Sequence, residues 1–309
     1  MGAAWRVSDI PDQTGRTIIV TGTTVGGLGH FTALELARRG ACVVLAGRTA
    51  SKIADTESAI RTAVPTARLE QLTIDLSDLA SVRSAAAAAS SYGPIDVLVN
   101  NAGVMGTSYT RTGDGLELQL ATNHFGPFLL TGLLLPQLVA SGHGRVVAVS
   151  SQFHRYVRSA PLGDPRQQTG RYSTWPTYGA TKLANLLFTY ELDRRAREAG
   201  LPVEAMAAHP GFAGTHLAAN GQYGRSTGGI ASILDATIRA VSQSAAAGAW
   251  PTLMAATADL PGGTYCGPSG PAEMAGAPQV VTSSRASREP AAMRRLWEIS
   301  EETTGLHYP

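Results

Sequence analysis

The run Thr17-Ile18-Ile19-Val20-Thr21-Gly22-Thr23-Thr24-Val25-Gly26-Gly27-Leu28-Gly29 passes from apolar, β-branched residues straight into glycine. Its apolar start predicts a buried strand. The residues that follow, His30-Phe31-Thr32-Ala33-Leu34-Glu35-Leu36-Ala37-Arg38-Arg39, have helical periodicity and stop at Gly40. Strand, glycine turn and helix in that order make a cradle for phosphate. Glycines let the main chain approach a pyrophosphate, and the first helical amides with the helix dipole supply its counter-charge. The same glycines would also suit a turn that is tight for conformational reasons alone, so the rest of the chain has to discriminate.

Further along, Ala41-Cys42-Val43-Val44-Leu45-Ala46 predicts a second strand, ending in Gly47-Arg48-Thr49. An NAD site usually has an acid here for the ribose hydroxyls, whereas an arginine accommodates a 2′-phosphate. Arg48 therefore points to NADP(H) in preference to NAD(H), the plain alternative being a surface arginine without a ligand. Leu72-Thr73-Ile74 ends a third strand at Asp75-Leu76, and Ile95-Asp96-Val97-Leu98-Val99 ends a fourth at Asn100-Asn101-Ala102-Gly103. Strands whose carboxyl ends all carry small or polar residues line one crevice. Hydrophobic residues make up 44% of the 309 and charged ones 16%, with strands alternating with helical stretches, so the expectation is α/β, a parallel sheet covered on both faces. The alanine run Ala85 to Ala89 falls where a crossover helix is needed, and alanine is the best helix former.

Tyr178-Gly179-Ala180-Thr181-Lys182 sets a phenol and an ammonium one helical turn apart on one face. At that spacing the lysine charge favours phenolate and is expected to lower the tyrosine pKa towards working pH, so that the phenol passes a proton. Alone, the spacing fits two solvated side chains equally well; its weight comes from its surroundings.

In order along the chain, the glycine turn, Asp75-Leu76, Asn100-Asn101-Ala102-Gly103, Asn123, Ser150-Ser151, Tyr178 with Lys182, and Pro210-Gly211 resemble the short-chain dehydrogenase/reductase family, from about Thr17 to the final helix. Within it, Asn101 to Met105, Val149 to His154, Lys182-Leu183-Ala184-Asn185 and His209-Pro210-Gly211 look most like the retinol dehydrogenase and protochlorophyllide reductase branch, as does Arg295 to Ser300. The resemblance implies a Rossmann-type doubly wound sheet in a single domain, residues 1–309, with a cofactor half at about 14–150 and a catalytic and substrate half at about 151–309. It implies that Tyr178 transfers the proton, that Lys182 also bonds the nicotinamide ribose, and that Asn123 sits by a water relaying protons to the lysine. Ser151 would orient the carbonyl oxygen, since it follows the strand Val146 to Val149; Ser150, one residue earlier, falls on the other face. Gly22, Gly27, Leu28, Gly29, Arg48, Asp75, Leu76, Asn101, Ala102, Gly103, Tyr178 and Lys182 are the implied cofactor contacts. Pro210 and Gly211 would lie by the nicotinamide, and Thr215 by its carboxamide or phosphates. One departure stands out: four residues, Thr23 to Gly26, separate Gly22 from Gly27, one more than the family's usual turn, and Gly26 is placed to absorb the extra residue as a bulge.

The implied reaction interconverts a hydrophobic ketone or aldehyde and its alcohol. Reduction of a carbon–carbon double bond in a pigment-like acceptor is one alternative, and a non-enzymatic NADPH-binding regulator is another, though such a regulator usually lacks the tyrosine or lysine kept here. The long segment Phe153 to Pro176 and a lid-like Phe212 to Gly229 hold the variable residues. Phe153, Trp175 and Phe212, with Tyr156, Tyr172 and Tyr223, are placed either to wall an apolar substrate pocket or to pack the loops onto the core. His209 reads as structural and His154 as an ordinary surface group.

A net charge of +2 with 25 dispersed basic residues gives no nucleic-acid footprint, and Cys42 and Cys266 form no metal or redox motif and read as buried small hydrophobes. The first residues lack a basic-then-apolar pattern, and Phe125 to Ala140 is short and interrupted, so no membrane anchor and a cytoplasmic location are the expectations. By resemblance, a homo-dimer or homo-tetramer would pair through the tyrosine helix and the helix before it. Leu183, Leu186, Leu187 and Phe188 suit that and suit packing on the sheet equally.

Overall fold

β-Branched and leucine-rich runs that are apolar on both sides can only sit inside a sheet covered twice, and that is where they lie. The computed structural model of the protein describes residues 4–166, 171–212 and 243–309. The strands are β1 (Thr17–Thr21), β2 (Cys42–Gly47), β3 (Arg68–Thr73), β4 (Val97–Asn100), β5 (Gly144–Val149), β6 (Val203–Ala208), β7 (Tyr265–Pro268) and β8 (Pro278–Val280). They form one eight-stranded sheet in the order β3-β2-β1-β4-β5-β6-β7-β8, parallel except for the antiparallel edge strand β8. The order reverses between β1 and β4, which opens a crevice at the carboxyl ends of the central strands.

Helices α1 (Leu28–Arg38) and α2 (Ala50–Ala63) cover one face together with α7 (Ala245–Thr257), while α3 (Leu79–Ala89), α5 (Gly126–Ala140) and α6 (Thr174–Glu198) cover the other. The Asp78 carboxylate caps α3 by accepting the amides of Ala80 and Ser81, and the alanine run lies inside that helix. Among the described residues, no helix is long and apolar enough to cross a membrane.

The run from Leu116 to Leu135 reads as one helix in sequence but is broken in three. A short turn α4 (Leu118–Leu120) leads into a π-helical turn at Ala121–Phe125 and then into α5. Pro127 lacks the amide that would bond the Asn123 carbonyl, so the hydrogen-bond ladder slips just upstream of it. Gly126 permits the resulting close approach, since a Cβ there would lie 2.2 Å from the Leu76 carbonyl oxygen.

The last helix, α8 (Pro290–Thr304), does not join the sheet. It lies across α5 and α6, where Trp297 meets the Phe128 ring edge-on at 5.0 Å and stacks on Phe188 at 5.9 Å. Tyr308 closes the group, 4.8 Å from Phe128, and only glycine fits at 132 beneath it. Each such ring pair adds about 0.5–1.5 kcal/mol beyond its buried area. Leu183 and Leu187 pack with Leu296 of this helix, and Leu186 packs with Ala207, Tyr265 and Val281. Leu183, Leu186, Leu187 and Phe188 of the tyrosine helix thus all find partners within the chain. Cys266 is buried as expected, but Cys42 is only half-buried.

Candidate active site

The glycine turn folds around its extra residue. Gly22 and Gly26 adopt φ of 74° and 80°, and the Gly27 amide bonds the Thr24 carbonyl at 3.0 Å, so Gly26 takes up the insertion as a local bulge. His30 Nδ1 accepts the Gly26 amide and the Thr56 hydroxyl donates to the Thr23 carbonyl, which holds the longer loop in place. A Cβ at Gly29 would stand 2.4 Å from the Gly22 carbonyl oxygen, so glycine there lets α1 begin hard against β1. No side chain caps α1, whose first turn of amides faces the crevice edge. A backbone cradle at an uncapped helix start fits a pyrophosphate.

Thr21 and Asn101 join this turn to the end of β4. The Thr21 hydroxyl accepts the amides of Asn101 and Ala102, each at 3.0 Å, and Asn101 Nδ2 donates to the carbonyls of Thr21 and Gly22. Asn123 holds the next stretch. From the π turn it accepts the Val104 amide at 2.8 Å and donates to the Val104 carbonyl and the Thr181 hydroxyl, so its side-chain hydrogen bonds brace the Gly103 loop against α6. Asp75 accepts the amide and hydroxyl of Ser77, and its other oxygen lies 4.0 Å from Arg48. Arg48, just past β2, keeps its side chain 71% exposed.

Ser150 and Ser151 divide as their alternation predicts. The Ser150 hydroxyl is buried and donates to the Lys182 carbonyl at 2.8 Å, pinning α6 to β5. The Ser151 hydroxyl is on the crevice side, where it accepts the Phe153 amide and hydrogen bonds to Tyr178. Lys182 Nζ donates to the Val149 carbonyl at 2.9 Å and lies 5.7 Å from the centre of the Tyr178 ring. Both groups are buried, and this reverses one expectation. Burial pushes the Tyr178 phenol up to about 12, against a downward pull from the Ser151 hydrogen bond, and it depresses Lys182 to about 8. The helical spacing brings the pair together, but desolvation outweighs the lysine charge and the phenol holds its proton.

Phe153 and Trp175 flank the phenol. Their rings stack at 5.4 Å, and both meet Tyr178 edge-on, at 5.5 Å and 6.4 Å. Phe212 is 39% exposed and Tyr156 80% exposed. Tyr172 packs a loop instead: its hydroxyl bonds Gln119, Glu117 and the Thr107 carbonyl, tying the turn before Asn123 to the start of α6. Thr215, Tyr223 and nearly all of the segment from Phe212 to Gly229 lie outside the described residues.

His154 is buried, not an ordinary surface group. Its Nε2 accepts the Ser284 amide, so Nδ1 carries the hydrogen and donates to the Ser151 carbonyl at 2.6 Å. Burial holds it at about 4, neutral. His209 is structural as read: Nδ1 accepts the Gly211 amide and Nε2 donates to Glu273 at 2.9 Å. Its desolvation lowers its pKa, and the hydrogen bond from His209 lowers that of Glu273, so a neutral imidazole faces a carboxylate. No local motif announces Glu273. A cleft of about 860 Å³ opens at the amino ends of β4, β5 and β6, but its Arg145 is held by Glu204 and the carbonyls of Ala255 and Ala258.

Residues 16–161 match the short chain dehydrogenase family. Retinol dehydrogenase 13 of Homo sapiens is 35% identical over 96% of this chain and 86% of its own length, and polyprenol dehydrogenase of Mus musculus is 37% identical over the same shares. A crystal structure of an uncharacterized protein from Mycobacterium paratuberculosis superposes with a TM-score of 0.79 at 38% identity, over 99% of this chain and 100% of the other. Likeness carried through both halves of the sheet, and not through the glycine turn alone, makes this chain a member of the short-chain dehydrogenase family, an oxidoreductase whose fold binds NAD(P).

Proposed function

We propose that the protein is an NADP(H)-dependent oxidoreductase that interconverts a hydrophobic ketone or aldehyde and its alcohol, with Tyr178 as the general acid and base. The observation that carries this reading is the buried phenol, hydrogen-bonded to Ser151 and flanked by Phe153 and Trp175 above the Lys182 ammonium. When bound, the nicotinamide donates or accepts the hydride. Tyr178 delivers a proton to the carbonyl oxygen as charge grows there, and the Ser151 hydroxyl hydrogen bonds to the same oxygen. Asn123 keeps the Gly103 loop seated, and Lys182 supplies the positive charge beneath the phenol.

The start of α2 supports the 2′-phosphate. Thr49 gives that helix no side-chain cap, so its first amides stand free of one beside the exposed Arg48 guanidinium. The ion pair of Arg48 with Asp75 is long and solvated, which leaves the arginine available to an anion at little cost. Calorimetric titration with NADPH and NADH checks this. NADPH binds more tightly, and Arg48→Ala weakens it about 10- to 100-fold, the value of a charge-assisted hydrogen bond or two, with NADH unchanged. Equal binding of the two cofactors would remove Arg48 from the site and leave the dehydrogenase standing.

Substrate class rests on the stacked rings. Trp175→Ala opens the wall beside Tyr178 and shifts preference among ketones of different bulk, while the NADPH Kd stays put. A panel of alkyl and aryl ketones reads the change in kcat/KM; unchanged ratios would mean that Trp175 only packs its loop.

A further inference from the structure

The serine loop and the segment after β6 are far apart in sequence, yet both are tied to one carboxylate. Glu273 Oε2 accepts from His209 Nε2 at 2.9 Å and from Gln152 Nε2 at 2.7 Å, across 121 residues of chain for the latter. Its Oε1 accepts from Arg155 at 3.2 Å. Gln152 and Arg155 belong to the turn that follows Ser151 directly. His209 passes the constraint on by accepting the Gly211 amide, and Met274, next to Glu273, takes the Phe212 amide at 2.8 Å. A Cβ at Gly211 would lie 2.4 Å from that same Met274 carbonyl oxygen. The 270–274 loop is therefore wedged between the two segments.

Its backbone is strained to do so. Ala272 and Glu273 have φ of 51° and 55°, a left-handed conformation that neither residue type favours, and they are the only non-glycine positive φ values among the described residues. Such strain survives where the surroundings over-determine it, and it clusters at functional sites. A carboxylate serving only as a surface ion-pair partner would need neither the strain nor a histidine that is fully buried.

We propose that Glu273 is a positioning residue, one that fixes Ser151 relative to Pro210 and Gly211 and so assembles the nicotinamide half of the site. The identity of that half rests on the function proposed above. Glu273→Ala removes an acceptor from three donors and leaves buried His209 Nε2 unpaired. Glu273→Gln is the conservative rescue, because its amide oxygen can still accept from His209 and Gln152, while the half-exposed Arg155 keeps its bonds to Gln152 and the Thr282 carbonyl.

Calorimetry with NADPH and with 2′,5′-ADP, which carries only the adenosine end, separates the two halves. In Glu273→Ala, NADPH binding weakens about tenfold and 2′,5′-ADP binding is unchanged, kcat falls by at least about tenfold, and Glu273→Gln recovers most of each. Hydrogen exchange on the ligand-free protein quickens at both 151–156 and 209–212 in the alanine variant. If Glu273→Ala lowers Tm alone, with NADPH binding, kcat and exchange at those segments as in the parent, the residue is merely structural and the proposal fails. If the parent binds neither nucleotide, the functional reading fails instead, and the exchange experiment still decides whether Glu273 couples the two segments.

Discussion

Tyr178→Phe lowers kcat by about 10³-fold while NADPH binds as before. The ring stays, so its edge-on contacts with Phe153 and Trp175 survive and only the hydroxyl bonded to Ser151 is lost. Because burial raises the phenol to about 12, it is protonated throughout the neutral range. On the proposed reading, carbonyl reduction then has its acid ready at pH 7, while alcohol oxidation needs the phenolate and speeds up as the pH rises. Single-turnover rates in both directions, for parent and variant, read these effects. A fully active phenylalanine variant would overturn the assignment of Tyr178.

Lys182→Met gives the second large effect, and its sign is less obvious: turnover collapses, yet the ligand-free protein becomes more stable at pH 7. Burial alone depresses Lys182 to about 8, from an ordinary value of 10.5. Below pH 8 the lysine is charged in both the folded and unfolded states, and the folded state carries the whole desolvation cost. Between 8 and 10.5 the folded state releases its proton first, the unfolded chain binds more protons, and stability climbs with pH; above 10.5 the cost is gone. The shift corresponds to about 3 kcal/mol at most, against which the lost hydrogen bond to the Val149 carbonyl offsets about 1 kcal/mol. Thermal melts at pH 7 and pH 10 check both parts as a difference, since buried acids such as Cys266 titrate alike in parent and variant: the methionine variant has the higher Tm at pH 7, and its lead over the parent shrinks by pH 10. A lower Tm at pH 7, or a lead unchanged at pH 10, would show that the buried ammonium does not cost the fold stability.

Most of the central sheet is legible in the sequence because a parallel strand buried on both faces writes itself as a short apolar run. β5 ends at Val149, as the strand read at Val146 to Val149 predicts, and the β1 turn and α1 start within a residue or two of their reading. The register of Ser150 against Ser151 follows from strand alternation alone. What fails is whatever depends on partners distant in the chain. The helix through Asn123 breaks at Pro127, which lacks the amide for the Asn123 carbonyl, and nothing in the local periodicity records the close approach of Gly126 to Leu76 that goes with the break. Spacing on a helix brings Tyr178 and Lys182 together but carries no information on how dry the site is, so the direction of the phenol shift comes out reversed. Glu273 has no motif, and the run that holds His154 does not record its burial, since their partners, Gln152 and Ser284, arrive from over a hundred residues away.

Helix α8 backs the tyrosine helix α6 from within the chain. A wall that α6 receives from its own chain, through Trp297 on Phe188 and Leu296 on Leu183 and Leu187, is present at the effective concentration of an intramolecular contact. Leu183, Leu187 and Phe188, which suited pairing with a second copy and packing within the chain equally, are packed within the chain. Diluting the protein does not dilute this contact, and the tyrosine helix has the same backing in a solitary molecule as in a crowded one.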